Sequence, residues 1–114
     1  LWAGIGGYVE EGESLEEAVV REAVEETGIH FDKTKLKKVA EIITSFQLNV
    51  FITDHWSGEL TIKDPTIQEL RWFPVNDLPF DQMYPGNDKW LPKILEGKLV
   101  RLINDQLHKI IRFD

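Results

Sequence analysis

Residues 15–27 carry local signals for an α-helix at both ends, and this segment constrains the fold more than any other part of the chain. Ser14 is a preferred N-cap residue and Glu17 follows three positions later, which is the spacing of a capping box. Gly28 comes next as a C-terminal stop signal. The sequence therefore predicts one helix whose two ends are set by local chemistry.

This helix places acidic side chains where packing is expected. On a helical wheel Glu22 and Glu26 continue a stripe of small and apolar side chains, and Glu25 flanks it. Valine side chains form a second apolar face on the other side, as in a helix that is covered from two directions. The apolar part of the first stripe consists of Leu15, Ala18 and Val19.

The charges of this helix are unfavourable without a partner. Glu22 and Glu26 repel one another at the i,i+4 spacing, and the helix dipole disfavours anions near the C-terminus. Arg21 is expected to offset one carboxylate, that of Glu25 four residues later. Carboxylate oxygens without cysteine or paired histidines favour Mg²⁺, or Mn²⁺, over zinc. The alternative is an ordinary solvated acidic helix.

Composition limits the partners of the chain. Its 114 residues suit one domain, and its net charge of −7 disfavours a nucleic-acid polymer. There is no cysteine, which excludes a disulfide scaffold and a thiol nucleophile. No apolar run approaches the roughly 18 residues of a membrane helix, so we expect no membrane partner and a cytoplasmic location. An anionic small molecule remains a possible ligand if a metal accompanies it.

The rest of the chain predicts mixed strands and a second helix, hence an α/β sandwich. The second helix is expected over Trp90–Glu96, beginning near Asn87 or Asp88 and stopping at Gly97. The turn residues Asn104 and Asp105 predict that the last two strands form a hairpin. The predicted strands are Val39–Ser45, Leu48–Thr53, Glu59–Ile62, Leu70–Val75, Leu99–Ile103 and Leu107–Phe113.

The spacing of glycines and charged residues around the first helix resembles the Nudix box, G-x5-E-x7-R-E-U-x-E-E-x-G-U with U aliphatic. Ala23 is the one soft departure, because the aliphatic residue there is usually larger. The resemblance implies an αβα sandwich with a mixed sheet and Mg²⁺-dependent hydrolysis of a nucleoside diphosphate linked to another group. The matching residues are Gly7, Glu13, Arg21, Glu22, Glu25, Glu26, Gly28 and Ile29.

The resemblance also implies roles for the residues of the box. Glu22, Glu25 and Glu26 would bind the metal, with Glu26 and Glu22 the strongest candidates. A backbone carbonyl of Gly6 or Gly7 would add a ligand. Gly7, Gly12 and Gly28 would serve backbone turns that need the conformational freedom of glycine.

Two acidic residues, Glu13 and Glu69, each have two alternative roles. Arg21 would orient Glu13 or Glu25, and Glu13 would serve as a structural partner or as a metal ligand. Glu69 would be a catalytic base outside the box, because related enzymes often place a glutamate at the start of this strand. The alternative for Glu69 is a surface residue paired with Arg71 or a lysine.

A narrower resemblance, over residues 1–7, 78–85 and 89–92, is to the MutT-like group of oxidised-purine nucleoside triphosphatases. It implies conversion of a nucleoside triphosphate such as 8-oxo-dGTP into a monophosphate and pyrophosphate. Alternatives are other nucleoside diphosphate derivatives (ADP-ribose, a dinucleotide polyphosphate, an unmodified dNTP) and a nucleotide-binding module without activity. The complete set of box carboxylates argues against the module.

The base pocket of that group departs from its usual pattern in this chain. An asparagine is replaced by Ala3, and an acidic pair is replaced by Gly86 and Asn87, which puts selectivity for 8-oxoguanine in doubt. The alternative for the aromatic candidates is core packing, and that for Asn87 and Asp88 is helix capping. The pocket candidates are Phe46, Tyr84, Asn87 and Asp88.

Residues 1–114 are expected to form a single Nudix hydrolase domain that lacks its N-terminal strands, and the free sheet edge would allow a homodimer as well as a monomer. Trp56 and Trp72 are expected in core or edge packing. The scattered histidines show no metal-binding spacing and are expected to be structural or exposed; they are His30, His55 and His108.

Overall fold

The computed structural model describes residues 1–113, which divide into two compact units. The first, which we call the α1 unit, consists of Gly4–Leu36 and Thr53–Phe73. The second, the sheet unit, consists of Leu1–Ala3, Lys37–Ile52 and residues 74–113. None of the helices in the described chain is long and apolar enough to cross a bilayer.

The α1 unit contains the predicted helix with its predicted bounds, α1 at Leu15–Thr27. Both bonds of the capping box are present, because the Glu17 N–H donates to Ser14 Oγ and the Ser14 N–H donates to Glu17 Oε1. Gly28 ends the helix in the left-handed conformation, with φ of 74°. A two-stranded antiparallel ladder follows, formed by β1 (His30–Phe31) and β4 (Trp56–Ser57).

The sheet unit contains a mixed four-stranded sheet with the order β3-β2-β5-β6. β2 runs antiparallel to β3 and parallel to β5, and β5 forms an antiparallel hairpin with β6. The helix α2 is Asn87–Leu95. The strands are β2 (Lys37–Ile43), β3 (Gln47–Ile52), β5 (Leu99–Ile103) and β6 (Gln106–Ile110).

Helix α2 packs on β5 and β2 and covers one face of this sheet. Burial of these apolar side chains supplies the main stabilisation of the unit. The mixed α/β class with two helices is thereby confirmed. The core residues are Val39, Ala40, Trp90, Ile94, Val100 and Leu102.

A buried carboxylate occupies the sheet position next to this core. Glu41 pairs across the ladder with Arg101, one register step from the core pair Ala40 and Val100, so it points to the opposite face. It is 9% exposed and accepts bonds from Lys38 Nζ at 2.6 Å and Arg101 Nε at 2.7 Å. Its negative charge is therefore compensated by two cations.

Two predicted strands are wrong. Glu59–Ile62 is not a strand, because the Thr61 N–H donates to the Thr27 carbonyl at 2.8 Å, at the end of α1, and not to another strand. Leu70–Val75 is also irregular. Pro74 has no N–H to give to a ladder, and burial at positions 70 and 73 does not follow the two-residue period of a strand.

The other predicted elements are present, β5 with its predicted bounds and the rest with shifted ends. β2 begins and ends two residues earlier than predicted, and β6 ends at Ile110. The hairpin turn is at Asn104 and Asp105, with φ of 45° and 71° as a tight two-residue turn requires. Gly86 is the N-cap of α2, so the capping alternative for Asn87 and Asp88 is wrong.

The aromatic and histidine predictions have mixed outcomes. Trp56 and Trp72 are about half exposed and stack on one another, with ring centroids 4.9 Å apart, so core packing is wrong for both. Trp56 lies in β4, which agrees with edge packing. The expected exposure is confirmed for His30, His55 and His108.

Candidate functional site

Arg21 organises the charged face of α1. Its Nε and Nη2 atoms donate to the two oxygens of Glu13 at 2.7 and 3.0 Å, and Nη2 also donates to the Tyr8 carbonyl at 2.9 Å. Its Nη1 atom donates to Glu22 at 2.9 Å and to Glu25 at 3.1 Å. The predicted pairing of Arg21 with Glu25 is confirmed, and Arg21 also contacts Glu22, which the sequence did not predict.

Glu13 is held as an anion by these contacts. Hydrogen bonds from the Arg21 side chain, and then from the Glu10 backbone N–H at 2.9 Å, lower the pKa of Glu13. The same pairing raises the pKa of Arg21. Both oxygens of Glu13 are engaged by Arg21, as expected for a structural partner, and a ligand role for Glu13 stays a prediction.

Glu22 and Glu26 form a pair of carboxyl groups in direct contact. Burial, the hydrogen bond from Glu22 and the negative charges of Glu22 and Asp64 raise the pKa of Glu26 to about 7, and a hydrogen bond from the Gly6 backbone opposes this shift. The charged form of Glu26 is therefore disfavoured beside Glu22. A divalent cation is the chemical group that would allow both carboxylates to be charged.

Gly7 lies against this pair. A Cβ atom at Gly7 would collide with the carboxyl group of Glu22, so the loop lies directly against that carboxyl group. Among residues 1–113, no three histidine or acidic side chains converge closely enough to enclose a metal by themselves. Mg²⁺ is usually bound by one or two carboxylates together with waters and substrate phosphates, and the Glu22–Glu26 pair fits that donor set.

Glu25 lies at the rim of the site, and its side chain is 58% exposed. Its contact with Arg21 is the i,i+4 pair that the sequence predicts. Glu25 is therefore much more exposed to solvent than Glu22, whose side chain is 15% exposed.

The segment after Gly58 docks on the end of α1. The Lys63 N–H donates to the Glu26 carbonyl at 3.1 Å, next to the bond from Thr61 to the helix end. The negative charge of Asp64, the next residue, contributes to the raised pKa of Glu26. Asp64 is not among the predicted site residues, because the sequence Asp-Pro-Thr is typical only of a turn.

Glu69 is exposed and accepts hydrogen bonds from Arg71, with Nε at 3.0 Å from Oε2. This is the pairing that the alternative interpretation of Glu69 describes. Its role as a catalytic base stays a prediction.

The pocket candidates all lie in the sheet unit, near the ends of its strands. Phe46, in the turn after β2, is 70% exposed, and Tyr84 is 59% exposed, so core packing is wrong for both. Asn87 begins α2 and Asp88 follows it with an exposed side chain.

Two contacts within the sheet unit connect the segments that carry these candidates. The Asn104 N–H donates to the Ile43 carbonyl at 3.0 Å, which joins the β5–β6 turn to the end of β2. Lys89 of α2 forms an ion pair with Asp105 of the same turn. The structure therefore brings the turn of Phe46 and the start of α2 to one end of the sheet.

One family model and several known proteins match most of this chain. The family described as "NUDIX domain" matches residues 1–94. The oxidized purine nucleoside triphosphate hydrolase of Mus musculus is 34% identical over 106 residues, which cover 85% of this chain and 64% of the mouse protein. The Danio rerio protein of the same name has the same identity and coverage.

A bacterial relative aligns over a similar range. The uncharacterized Nudix hydrolase YvcI of Bacillus subtilis is 30% identical over 105 residues, covering 85% of this chain and 66% of its own length. The chain thus spans slightly less than two thirds of the length of these three relatives.

Proposed function

Because the chain belongs to the Nudix family, we propose that it is a metal-dependent pyrophosphohydrolase that cleaves a nucleoside triphosphate into a nucleoside monophosphate and pyrophosphate. The proposed substrate class is an oxidised purine nucleotide such as 8-oxo-dGTP. Two relatives that are 34% identical to this chain and carry the name oxidized purine nucleoside triphosphate hydrolase support this choice.

The observation that carries the proposal is the contact between the carboxyl groups of Glu22 and Glu26 beside Gly7. Two carboxyl groups in contact are unfavourable when both are charged, and a bound cation would offset their repulsion. Arg21 holds Glu22 and Glu25 from the other side of the cluster, so their carboxylates are aligned before a ligand arrives.

The reaction needs one water for each triphosphate. The oxygen of water becomes bonded to phosphorus, the Pα–O–Pβ bridge opens, and the two protons of water are shared among the products and the solvent. A bound Mg²⁺, or Mn²⁺, would neutralise the phosphates and lower the pKa of the attacking water. Glu22, Glu25 and Glu26 would hold the cation, the Gly6 carbonyl would add a ligand, and Glu69 is the proposed base.

We assign recognition of the nucleobase of the substrate to residues of the sheet unit. Tyr84 and Phe46 offer exposed aromatic faces for stacking, and Asn87 and Asp88 offer polar groups for a purine edge. A cytoplasmic location and a monomeric or homodimeric state are part of the same proposal.

The test is an assay of pyrophosphate and phosphate release from 8-oxo-dGTP, dGTP, ADP-ribose and a dinucleotide polyphosphate, with Mg²⁺ and with EDTA. We expect pyrophosphate release from 8-oxo-dGTP that EDTA abolishes. The variant Glu26→Gln should lose most of this activity, and Glu11→Gln, which removes an exposed carboxylate from the loop before α1, should keep it. Undiminished activity in Glu26→Gln would contradict the metal role of the carboxyl pair.

The same panel distinguishes the alternative functions. Equal rates on dGTP and 8-oxo-dGTP would rule out a sanitising role. A faster reaction with ADP-ribose or a dinucleotide polyphosphate would reassign the substrate within the family. Tight binding of one nucleotide without any turnover would identify a nucleotide-binding module.

A further inference from the structure

We propose that Thr27 is a positioning residue for the cation site at Glu22 and Glu26, because its hydroxyl fixes the turn of α1 that carries this carboxyl pair. This inference rests on the proposed function, since it concerns the same cation. Thr27 occupies a position that the Nudix box leaves unspecified, and it acts through the backbone of the helix without touching the metal.

The first support is the burial of the Thr27 side chain. Thr27 is 0% exposed, and a buried hydroxyl needs hydrogen-bond partners. Its Oγ1 atom donates to the Ala23 carbonyl at 2.7 Å and accepts a bond from the Ile29 N–H at 3.2 Å. Ile29 is 1% exposed, so its N–H has little access to water. The hydroxyl therefore ties the last turn of α1 to the backbone that follows the helix.

The second support is the alignment of two residue pairs along α1. Ala23 directly follows Glu22, and Thr27 directly follows Glu26. The bond from the Thr27 hydroxyl to Ala23 and the hydrogen bond between the two carboxyl groups therefore span the same turn of the helix. A threonine that bonds to the carbonyl four residues earlier alters the bend of a helix. The bond that Thr27 makes thus influences the separation of Glu22 from Glu26.

The third support is the way in which the end of α1 is held. Ala23 is 0% exposed, but its single methyl group buries little apolar surface. The Lys63 N–H donates to the Glu26 carbonyl at 3.1 Å. The Thr61 N–H donates to the Thr27 carbonyl at 2.8 Å. Hydrogen bonds therefore hold Glu26 and Thr27 from outside the helix as well as from within it.

Loss of the hydroxyl would change the position of Glu26. Thr27→Val would leave the buried Ile29 N–H without its acceptor, and the backbone of residues 27–29 would shift to satisfy it. Metal ligands must lie within about 0.2 Å of their proper distances, so a small shift at the neighbouring Glu26 weakens cation binding. The charges of the site stay the same, which separates this effect from the loss of a carboxylate.

The experiment is a calorimetric titration of Mn²⁺ into the wild-type protein, Thr27→Val and Thr27→Ser without nucleotide. Thr27→Val removes the hydroxyl, and we expect it to bind Mn²⁺ about tenfold more weakly. Thr27→Ser keeps the hydroxyl and should bind Mn²⁺ within about twofold of the wild type. The titration is run well below the unfolding temperature of every variant, so that a loss of stability alone leaves the measured affinity unchanged.

Thr53→Val is the matched control in the α1 unit. It makes the same chemical change and removes the acceptor of another backbone N–H, since Thr53 Oγ1 accepts a bond from the His55 N–H at 3.0 Å. It should bind Mn²⁺ like the wild type, because Thr53 lies outside the box and outside α1. If Thr27→Val does not fold, Thr27→Ala takes its place, because it also lacks the hydroxyl and alanine has the highest helix propensity.

The outcomes separate this inference from the proposed function. Equal Mn²⁺ affinity in Thr27→Val and the wild type would overturn the role of Thr27, even if the wild type hydrolyses nucleotides. An equal loss of affinity in Thr27→Ser or in Thr53→Val would overturn it as well. A loss confined to Thr27→Val, without hydrolysis of any nucleotide by the wild type, would support Thr27 and contradict the proposed function. A wild-type protein that binds no Mn²⁺ would overturn both.

Discussion

Arg21 binds Glu13 through two parallel hydrogen bonds, which Nε donates to Oε2 at 2.7 Å and Nη2 donates to Oε1 at 3.0 Å. Glu13 precedes α1 and Arg21 lies in its middle, so the pair fastens the loop to the helix. The remaining nitrogen of the guanidinium contacts Glu22 and Glu25. The planar fork thus fixes a structural carboxylate and two proposed metal ligands at the same time.

Arg21→Lys should reduce activity although it keeps the charge. A lysine cannot make the parallel bonds to Glu13 and also reach Glu22, so the ligand carboxylates lose their alignment. We expect kcat/KM for the proposed hydrolysis, and Mn²⁺ affinity, to fall by about 10- to 100-fold. Arg112→Lys makes the same chemical change at an exposed position and should leave both values unchanged. A wild-type kcat/KM in Arg21→Lys would show that the fork is dispensable.

Gly7→Ala should damage the site without changing any charge. The new Cβ would collide with the carboxyl group of Glu22, and either the loop or that side chain must move. A displacement of about 1 Å near a reacting centre costs about 100-fold in rate, so we expect a loss of that size in kcat. Gly4→Ala is the control, since a Cβ there meets no atom within 4 Å. Similar kinetics in both variants would refute the steric argument.

Glu41 should make the sheet unit sensitive to acid. Hydrogen bonds from Lys38 and Arg101 lower the pKa of Glu41 below its ordinary value of 4.5, so its stabilising contribution is full above that pH. It is lost as the pH falls through the lower folded-state pKa. Glu41→Gln should reduce the free energy of unfolding at neutral pH by about 2 kcal/mol and flatten its decline in acid.

Urea unfolding at neutral and acidic pH measures both effects of Glu41→Gln. The control is Glu96→Gln, which breaks an exposed ion pair with Lys98 and should change stability little. A Glu41→Gln protein that loses stability in acid as steeply as the wild type would assign the acid sensitivity to other carboxylates.

Ser14→Ala should destabilise α1 by removing its capping box. The Glu17 N–H loses its acceptor at the helix start, and substitutions of this kind cost about 1 kcal/mol. Thermal unfolding should show a lower midpoint for Ser14→Ala than for Ser45→Ala, which alters an exposed turn residue. Equal midpoints would mean that tertiary contacts, and not the cap, hold the start of α1.

Helix α1 was predictable because its determinants lie within one stretch of chain. The capping box and the stop at Gly28 act through local backbone geometry, and they set the ends of the helix. The spacing of three to four residues then places the charged residues of the Nudix box on one helix. These residues are Arg21, Glu22, Glu25 and Glu26. The hairpin turn at Asn104 and Asp105 was predictable for the same reason.

The failed predictions concern segments whose partners are distant along the chain. Residues 59–62 have a strand-like sequence, but two backbone N–H groups of this region bond to the end of α1. Residues 70–75 were predicted as a strand from their apolar and aromatic side chains, yet they do not pair with any strand of the described chain. Apolar patterning alone does not specify which acceptor a backbone N–H will find.

By itself, the sequence determined the mixed α/β class, the family and the carboxylate-bearing face of α1, since helix periodicity and caps act over a few residues. Only the tertiary structure decided that Arg21 contacts two helix carboxylates as well as Glu13, that the Lys63 N–H bonds to the end of α1, and that Glu41 is buried between two cations. These contacts join residues far apart in the chain, and their geometry depends on how loops and strands dock, which no local pattern encodes.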